Sequence, residues 1–381
     1  MRILWITADR FDTKADKSSW IEIAKGFQAR GWQVDILAGQ SKNGENQYSD
    51  LVRVIQAIDI PLIFRMSLMF YAYRWIKANA RQYDVLIINP ECLWLVPLVR
   101  RVSDIHIHLD IRTLPVNLTN LKRRLDRILF WKLPLRKYGK SADSYTFITT
   151  GLKIAVEEEF SIGVEQYAIW HSGVNTELFR PLAPTLDATE TPVNLFYHGS
   201  LSNRRGIPDV IAALAFAPLP KPVTFTLVGT GPDVEEMKLQ AQRLGLTEIV
   251  KFKGLLPYED IPEEISKADI CLCPLPSRLE WNVSSPLKIL EYMACEKPMV
   301  LTSIPPHTDL VGDQPFVIWI DEQTPKAIHS ALASACEQLE ALTAAAPIGR
   351  SIVRSSMEWS NHADQFAEHL VRATASRRIN Q

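Results

Sequence analysis

Two doubly wound α/β domains of Rossmann type, each a parallel sheet with helices on both faces, are the fold this sequence predicts. Three observations carry that expectation. Short apolar runs alternate with helical stretches along most of the chain. The alternation breaks once, around residues 172–195, where Gly173, Pro181, Pro184 and Pro192 fall with no apolar period. And 381 residues are long for one hydrophobic core but ordinary for two.

Arg2–Ala8 is the first strand, followed by a polar loop and a helix over Trp20–Arg30 that Gly31 ends. Val34–Gly39, Asp84–Pro90, Ile105–Ile111 and Ser144–Thr150 repeat the strand pattern with helical stretches between. This pitch implies right-handed crossovers onto a parallel sheet. After the break the alternation restarts with strands over Asn194–Gly199, Phe225–Gly231, Ile249–Gly254, Asp269–Leu275, Pro298–Ser303 and Phe316–Ile320. Helices are expected over Asp209–Phe216, Asp233–Leu244 and from Pro286 onward, the last capped by Ser284 or Ser285 with proline at the first helical position. Domain boundaries follow at 1–175 and 176–350, with a terminal segment 351–381.

Composition narrows the function. The chain is 47% hydrophobic and 22% charged with a formal net charge of −1, which excludes a nucleic-acid binder driven by bulk electrostatics. Cys92, Cys271, Cys273, Cys295 and Cys336 have no framework spacing and are read as free thiols of a reducing compartment. The N-terminus runs straight into a strand, so a cytoplasmic location is expected. The longest apolar stretch, Ile60–Ile76, is interrupted by Arg65 and Arg74 and falls short of a membrane span.

Ligands of doubly wound sheets bind beyond the carboxyl ends of the strands, and three strand ends in the second half carry chemistry. YHGSLSNRRG (Tyr197–Gly206) brings Gly199, Ser200, Arg204 and Arg205 to one turn, and VGTGPD (Val228–Asp233) brings Gly229 and Gly231 to another. In SSPLKILEYMACEKPM (Ser284–Met299), Pro286, Ile289, Leu290 and Met293 form an apolar stripe, while Lys288 and Glu291 share the other face with Ser284. The helix start favours an anion, and Glu291 lies about 9 Å further along the axis, the separation of a diphosphate from a ribose diol. Together the three ends point to a phosphorylated, ribose-bearing ligand. Lys288 has two readings, a phosphate contact or a partner for Glu291.

HSGVNTELFRP (His171–Pro181), HGSLSNRRG, LVGTGP, VKFKGLLPYEDIP and SPLKILEYMACEKPMV occur in an order and at separations that resemble the family 4 glycosyltransferases. The resemblance implies the GT-B fold, two Rossmann-like domains facing each other across a cleft, and retaining transfer of sugar from a nucleotide-sugar donor. It implies an acceptor site in the first domain, a donor site in the second, and a terminal helix that crosses back to the first. Glu291 matches the family's ribose-binding glutamate. Arg205 stands for the lysine on the diphosphate, and Ser284 to Leu287, with Ser285 between, match the loop whose amides meet diphosphate and sugar. The family's earlier glutamate would fall at Val283, and its arginine in G-R-L is Ser200, leaving Arg204 as substitute. HLDIRTLP (His108–Pro115) resembles the segment facing the reacting sugar, with Asp110 first and His108 second as the catalytic candidates and Arg112 as an orienting group.

In front-face retaining transfer the leaving diphosphate helps take the acceptor proton, and Arg205 would neutralise its charge. No cofactor and no metal are expected; His106 and His108 form H-x-H, but His171 is distant in sequence. The acceptor implied is a glycan or a lipid-linked glycan of a cell-surface polysaccharide or glycolipid. LKRRLDRILFWKLPLRKYGK, residues 121–140, holds eight basic residues to one acid, with apolar residues interleaved. It is read either as peripheral contact with the anionic inner face of a membrane or as a crossover helix packed on the sheet. Two other functions were weighed. A dinucleotide oxidoreductase needs a glycine-rich first loop, and Asp9–Trp20 has no glycine. A GT-B-shaped partner subunit without turnover finds its argument in Val283 and Ser200.

Overall fold

The structure, a computed structural model, describes the chain except residues 12–16, 41–49, 61–62, 115–120, 183–191 and 380–381. The middle of the first loop, Pro115 and Pro184 therefore lie outside the described residues. The chain divides into two compact units, Met1–Ser172 with Trp359–Gln381, and Gly173–Glu358. The boundaries expected at 175 and 350 thus stand against divisions at 172 and 358. The helix Pro347–Ser356 belongs to the second unit, and the terminal helix Trp359–Ile379 belongs to the first.

Among the described residues the first unit holds seven parallel strands: β1 (Arg2–Arg10), β2 (Gln33–Gly39), β3 (Val52–Ile55), β4 (Val85–Ile88), β5 (His106–Ile111), β6 (Ser144–Phe147) and β7 (Tyr167–Ile169), in the order β3-β2-β1-β4-β5-β6-β7. Apolar runs such as Ile3–Ile6 and Val85–Ile88 are buried on both faces, as parallel strands under helices must be. The edge strands β3 and β7 were not foreseen, since four and three residues are too few to show a period of two. The terminal helix packs on the helix Lys17–Ala29 so closely that a Cβ on Gly26 would meet the Ala363 Cβ at 2.3 Å. Phe366 of the terminal helix lies parallel to Trp170 at 5.4 Å and edge-on to Trp5 and Phe27.

Among the described residues the second unit holds six parallel strands: β8 (Val193–His198), β9 (Val223–Val228), β10 (Val250–Gly254), β11 (Ile270–Cys273), β12 (Met299–Thr302) and β13 (Val317–Ile320), ordered β10-β9-β8-β11-β12-β13. Strand order reverses between β8 and β11, where a doubly wound sheet leaves a crevice at its carboxyl edge. The Arg350 guanidinium donates to the carbonyls of Ala294, Phe179 and Thr176 at 2.6, 3.0 and 3.1 Å, holding the C-terminal end of the helix Leu287–Ala294. The ends of this unit lie side by side: Val174 bridges Glu358 in parallel, and the Thr176 hydroxyl donates to the Glu358 carboxylate. No helix among the described residues is long and apolar enough to cross a membrane. All five cysteines are buried.

Candidate functional site

The turns after β8 and β9 touch backbone to backbone. A Cβ on Gly229 would stand 1.9 Å from the Gly199 carbonyl oxygen, and one on Gly231 would stand 1.9 Å from that of Leu201. Gly199 and Leu201 donate from their amides to Val228 and Thr230. Glycine at 229 and 231 is therefore required by the neighbouring loop, whatever else passes near. Ser200, on the outer side of this turn, is exposed and accepts the Tyr197 hydroxyl on its carbonyl at 3.2 Å.

The adjacent arginines separate in role. Arg204 makes an ion pair with Glu280, three residues before Val283. Arg205 lies over the Trp281 ring, its guanidinium carbon 4.6 Å from the ring centre, and the Trp281 indole donates to the Arg204 carbonyl at 3.0 Å. Lys288 sits 5.1 Å from the Tyr197 ring centre, and its Nζ would be 3.9 Å from a Cβ on Gly199. Lys288 and Arg205 both draw down the Cys273 thiol, although burial wins and raises it overall. Two cations thus converge on the carboxyl ends of β8 and β11.

The helix that carries Lys288 starts at Leu287, with Pro286 in the cap position and no side-chain cap. Of the two serines expected as caps, Ser284 does not serve: its hydroxyl turns back and donates to the Trp281 carbonyl at 2.8 Å. Proline at the cap supplies no side-chain acceptor, so the first helical amides keep the partial positive charge that favours an anion. The helix is also buried all round from Lys288 to Ala294, rather than on one stripe. Lys288 is 8% exposed and Glu291 2%. Charged side chains at such depth need partners.

Glu291 has them. Its Oε1 accepts the Tyr258 hydroxyl at 2.7 Å, and its Oε2 lies 3.0 Å from His198 Nε2. Burial alone would raise this carboxyl, but the facing His198, the Tyr258 hydroxyl and Lys288 outweigh it and hold it below the ordinary glutamate value. His198 immediately precedes Gly199, and Tyr258 ends the loop Phe252–Tyr258. Both were visible in the quoted motifs, but nothing in spacing tied either to Glu291.

Asp110 and His108 belong to the first unit and are fully buried. They continue a ladder between β5 and β6. Asp110 accepts the Thr146 hydroxyl at 2.8 Å and the Trp170 indole at 3.1 Å on one oxygen. Because Thr146 donates to Asp110, it accepts from His108 Nε2 at 2.8 Å; His108 Nδ1 then accepts from Ser144, which accepts from His106 Nε2, each at 2.8 Å. One tautomer of each imidazole satisfies the whole ladder. Burial, with His369 and His106 close by, lowers His108 well below the ordinary histidine value. The Arg112 guanidinium carbon lies 3.4 Å from the centre of the Trp170 ring. The structure therefore gathers Gly199, Arg205, Lys288 and Glu291 at one sheet edge, and holds Asp110 and His108 inside the other unit.

Residues 18–178 match the family described as Glycosyltransferase Family 4, and residues 192–338 that described as Glycosyl transferases group 1. A GDP-mannose-dependent alpha-(1-6)-phosphatidylinositol monomannoside mannosyltransferase of Mycolicibacterium smegmatis is 27% identical over 252 residues, 62% of this chain and 64% of that protein. The chain thus spans just under two thirds of that relative. Sucrose-phosphate synthase from Thermosynechococcus elongatus aligns with a TM-score of 0.80 at 20% identity, covering 99% of this chain and 100% of that one. HepE from Anabaena, in complex with UDP-glucose, aligns with a TM-score of 0.76 at 18% identity, covering 98% and 100%. At these identities the two solved structures speak to fold.

Proposed function

This chain belongs to the family 4 glycosyltransferases, and from that premise we propose that it moves a sugar from a nucleoside diphosphate sugar to a glycan or lipid-linked acceptor, with retention at the anomeric carbon. The observation that carries the reading is Glu291, a buried carboxylate on the same helix as an uncapped N-terminus and Lys288. The ribose diol donates to Glu291, and the helix amides with Lys288 and Arg205 receive the diphosphate. The complex of HepE with UDP-glucose and the GDP-mannose dependence of the mannosyltransferase support a nucleotide-sugar donor. Fixed cations at the diphosphate do what a divalent ion does elsewhere, which supports metal-independent transfer. In this reading the second unit takes the donor and the first the acceptor. Asp110 acts through Trp170 and Arg112 as a positioning residue.

A lipid-linked acceptor of cell-surface polysaccharide or glycolipid synthesis, met at the inner face of the membrane, is supported by the surface of the first unit. Residues 121–138 form a helix, a π-helical turn and a second helix, and Leu121, Leu125, Leu129 and Leu133, four apart, are all exposed. Arg136, Lys137 and Lys140 are exposed on the same segment. A cavity of about 420 Å³ beside it is lined by Met66, Phe70, Tyr73, Trp94, Leu129 and Phe130. Phe130, Trp131 and Leu135 pack the segment inward while the four leucines face out beside basic residues, which supports a membrane-facing outer side on a packed crossover. The protein is expected to float with anionic liposomes and to stay below them after Leu125→Glu and Leu129→Glu; a wild type that never floats ends this part.

The donor reading is tested by thermal shift with UDP-, GDP- and ADP-sugars on wild type and Glu291→Ala. A ligand at 100 times its dissociation constant stabilises by about 2.7 kcal/mol. One base should shift the wild type and fail with the variant. No shift by any donor, with acceptor lipid present or absent, would favour a GT-B-shaped subunit without turnover.

A further inference from the structure

Both oxygens of Glu291 already have partners. A ribose diol that donates to this carboxylate competes with them for its lone pairs, and the two differ in freedom. The His198 ring is buried, flanked by the rings of Tyr292 at 5.3 Å and Phe196 at 5.9 Å, and its backbone pairs with β9 inside the sheet. Tyr258 is 37% exposed and opens a short turn, Tyr258–Asp260, beyond the edge strand β10, with its ring against Phe179 at 5.3 Å. Its hydroxyl presents to Oε1, at 2.7 Å, the same O–H donor that a ribose would present.

We propose that Tyr258 is a placeholder for the ribose. In the free protein its hydroxyl occupies the position on Glu291 that a ribose hydroxyl takes in the nucleotide complex, and the tyrosine moves aside as the nucleotide enters. A carboxylate at this depth is costly without a donor, so the tyrosine keeps the empty site satisfied. The arrangement exacts a toll in affinity, because each binding event breaks a charge-assisted hydrogen bond before making another. It also sharpens selection: a ligand without ribose hydroxyls gains nothing at Glu291 by displacing the tyrosine. This inference rests on the reading of Glu291 as the ribose acid.

The test is calorimetric titration of wild type, Tyr258→Phe and Glu291→Ala with UDP, GDP and ADP, and with the 2′,3′-dideoxy form of whichever binds. Phenylalanine keeps the ring against Phe179 and removes only the competing hydroxyl. Tyr258→Phe should bind the ribonucleotide about tenfold tighter, with no gain for the dideoxy form. The same outcome follows if a nucleotide binds measurably to Tyr258→Phe alone. Wild-type preference for ribose that Glu291→Ala abolishes, together with unchanged or weaker binding by Tyr258→Phe, overturns the placeholder and leaves Glu291 its role. A wild type indifferent to the ribose hydroxyls overturns the ribose-acid reading and the placeholder with it, as does failure of all three diphosphates to bind either protein.

Discussion

Two clusters of the same ingredients, a carboxylate with imidazoles and hydroxyls near the end of a parallel strand, meet different fates in the two units. Around Asp110 the groups satisfy one another in a single direction, from His106 to the carboxylate, and the terminal helix lies over them. Around Glu291 the partners come from a fixed strand and a half-exposed turn, beside two cations and an uncapped helix. The first cluster is closed, its carboxylate held by groups inside the unit. In the second, one carboxylate oxygen takes its hydrogen bond from an exposed tyrosine. Residue type does not separate a polar core from a binding site; what separates them is whether a partner can leave.

The comparison can be broken most forcefully at Asp110. Asp110→Ala would leave the Thr146 hydroxyl and the Trp170 indole as buried donors without an acceptor, and should cost about 4 kcal/mol of stability in denaturant unfolding, at about 2 kcal/mol for each. A smaller effect is expected in acid. Burial first, with Arg372 next, lowers His369 to about 4, and burial with His171 and Arg112 lowers His362 to about 4, against an ordinary 6.5. The unfolded chain therefore takes up protons first. Stability is full above pH 6.5 and falls as pH drops toward 4, by about 2 kcal/mol per histidine at pH 5. His369→Gln should flatten the unfolding curve between pH 7 and 5 by that amount. The smallest effect sharpens the contrast: Asp110→Asn keeps an acceptor oxygen and should change stability by less than about 1 kcal/mol and leave transfer measurable. Activity lost in a stable Asp110→Asn would make Asp110 a catalytic base after all.

The strands and their parallel order were legible because buried parallel strands write themselves as continuous apolar runs, as Ile3–Ile6 and Ile270–Cys273 do. β3 and β7 escaped because edge strands of three or four residues carry no period. The serine cap before Leu287 failed because Ser284 found a carbonyl behind it, a competition that a linear motif does not show. Arg204 stood as the substitute for the G-R-L arginine, but the structure pairs it with Glu280, a partner that no linear spacing shows. The H-x-H-x-D alternation of β5 was visible, but its fate depended on Ser144 and Thr146, which the fold pairs with His108 and Asp110 from more than thirty residues away.

The side-by-side ends of the second unit have a consequence for how the chain is made. Gly173–Glu358 is an insertion, sewn shut at its base by Val174 and Glu358, so it can complete its own fold while the ribosome still holds the rest. The first unit cannot. Its strands are made before the insertion, but the helix that covers Trp5, Phe27 and Trp170 is made only after it. Until Trp359–Ile379 is made that aromatic face waits uncovered, which makes the nascent chain a client for chaperones over that interval.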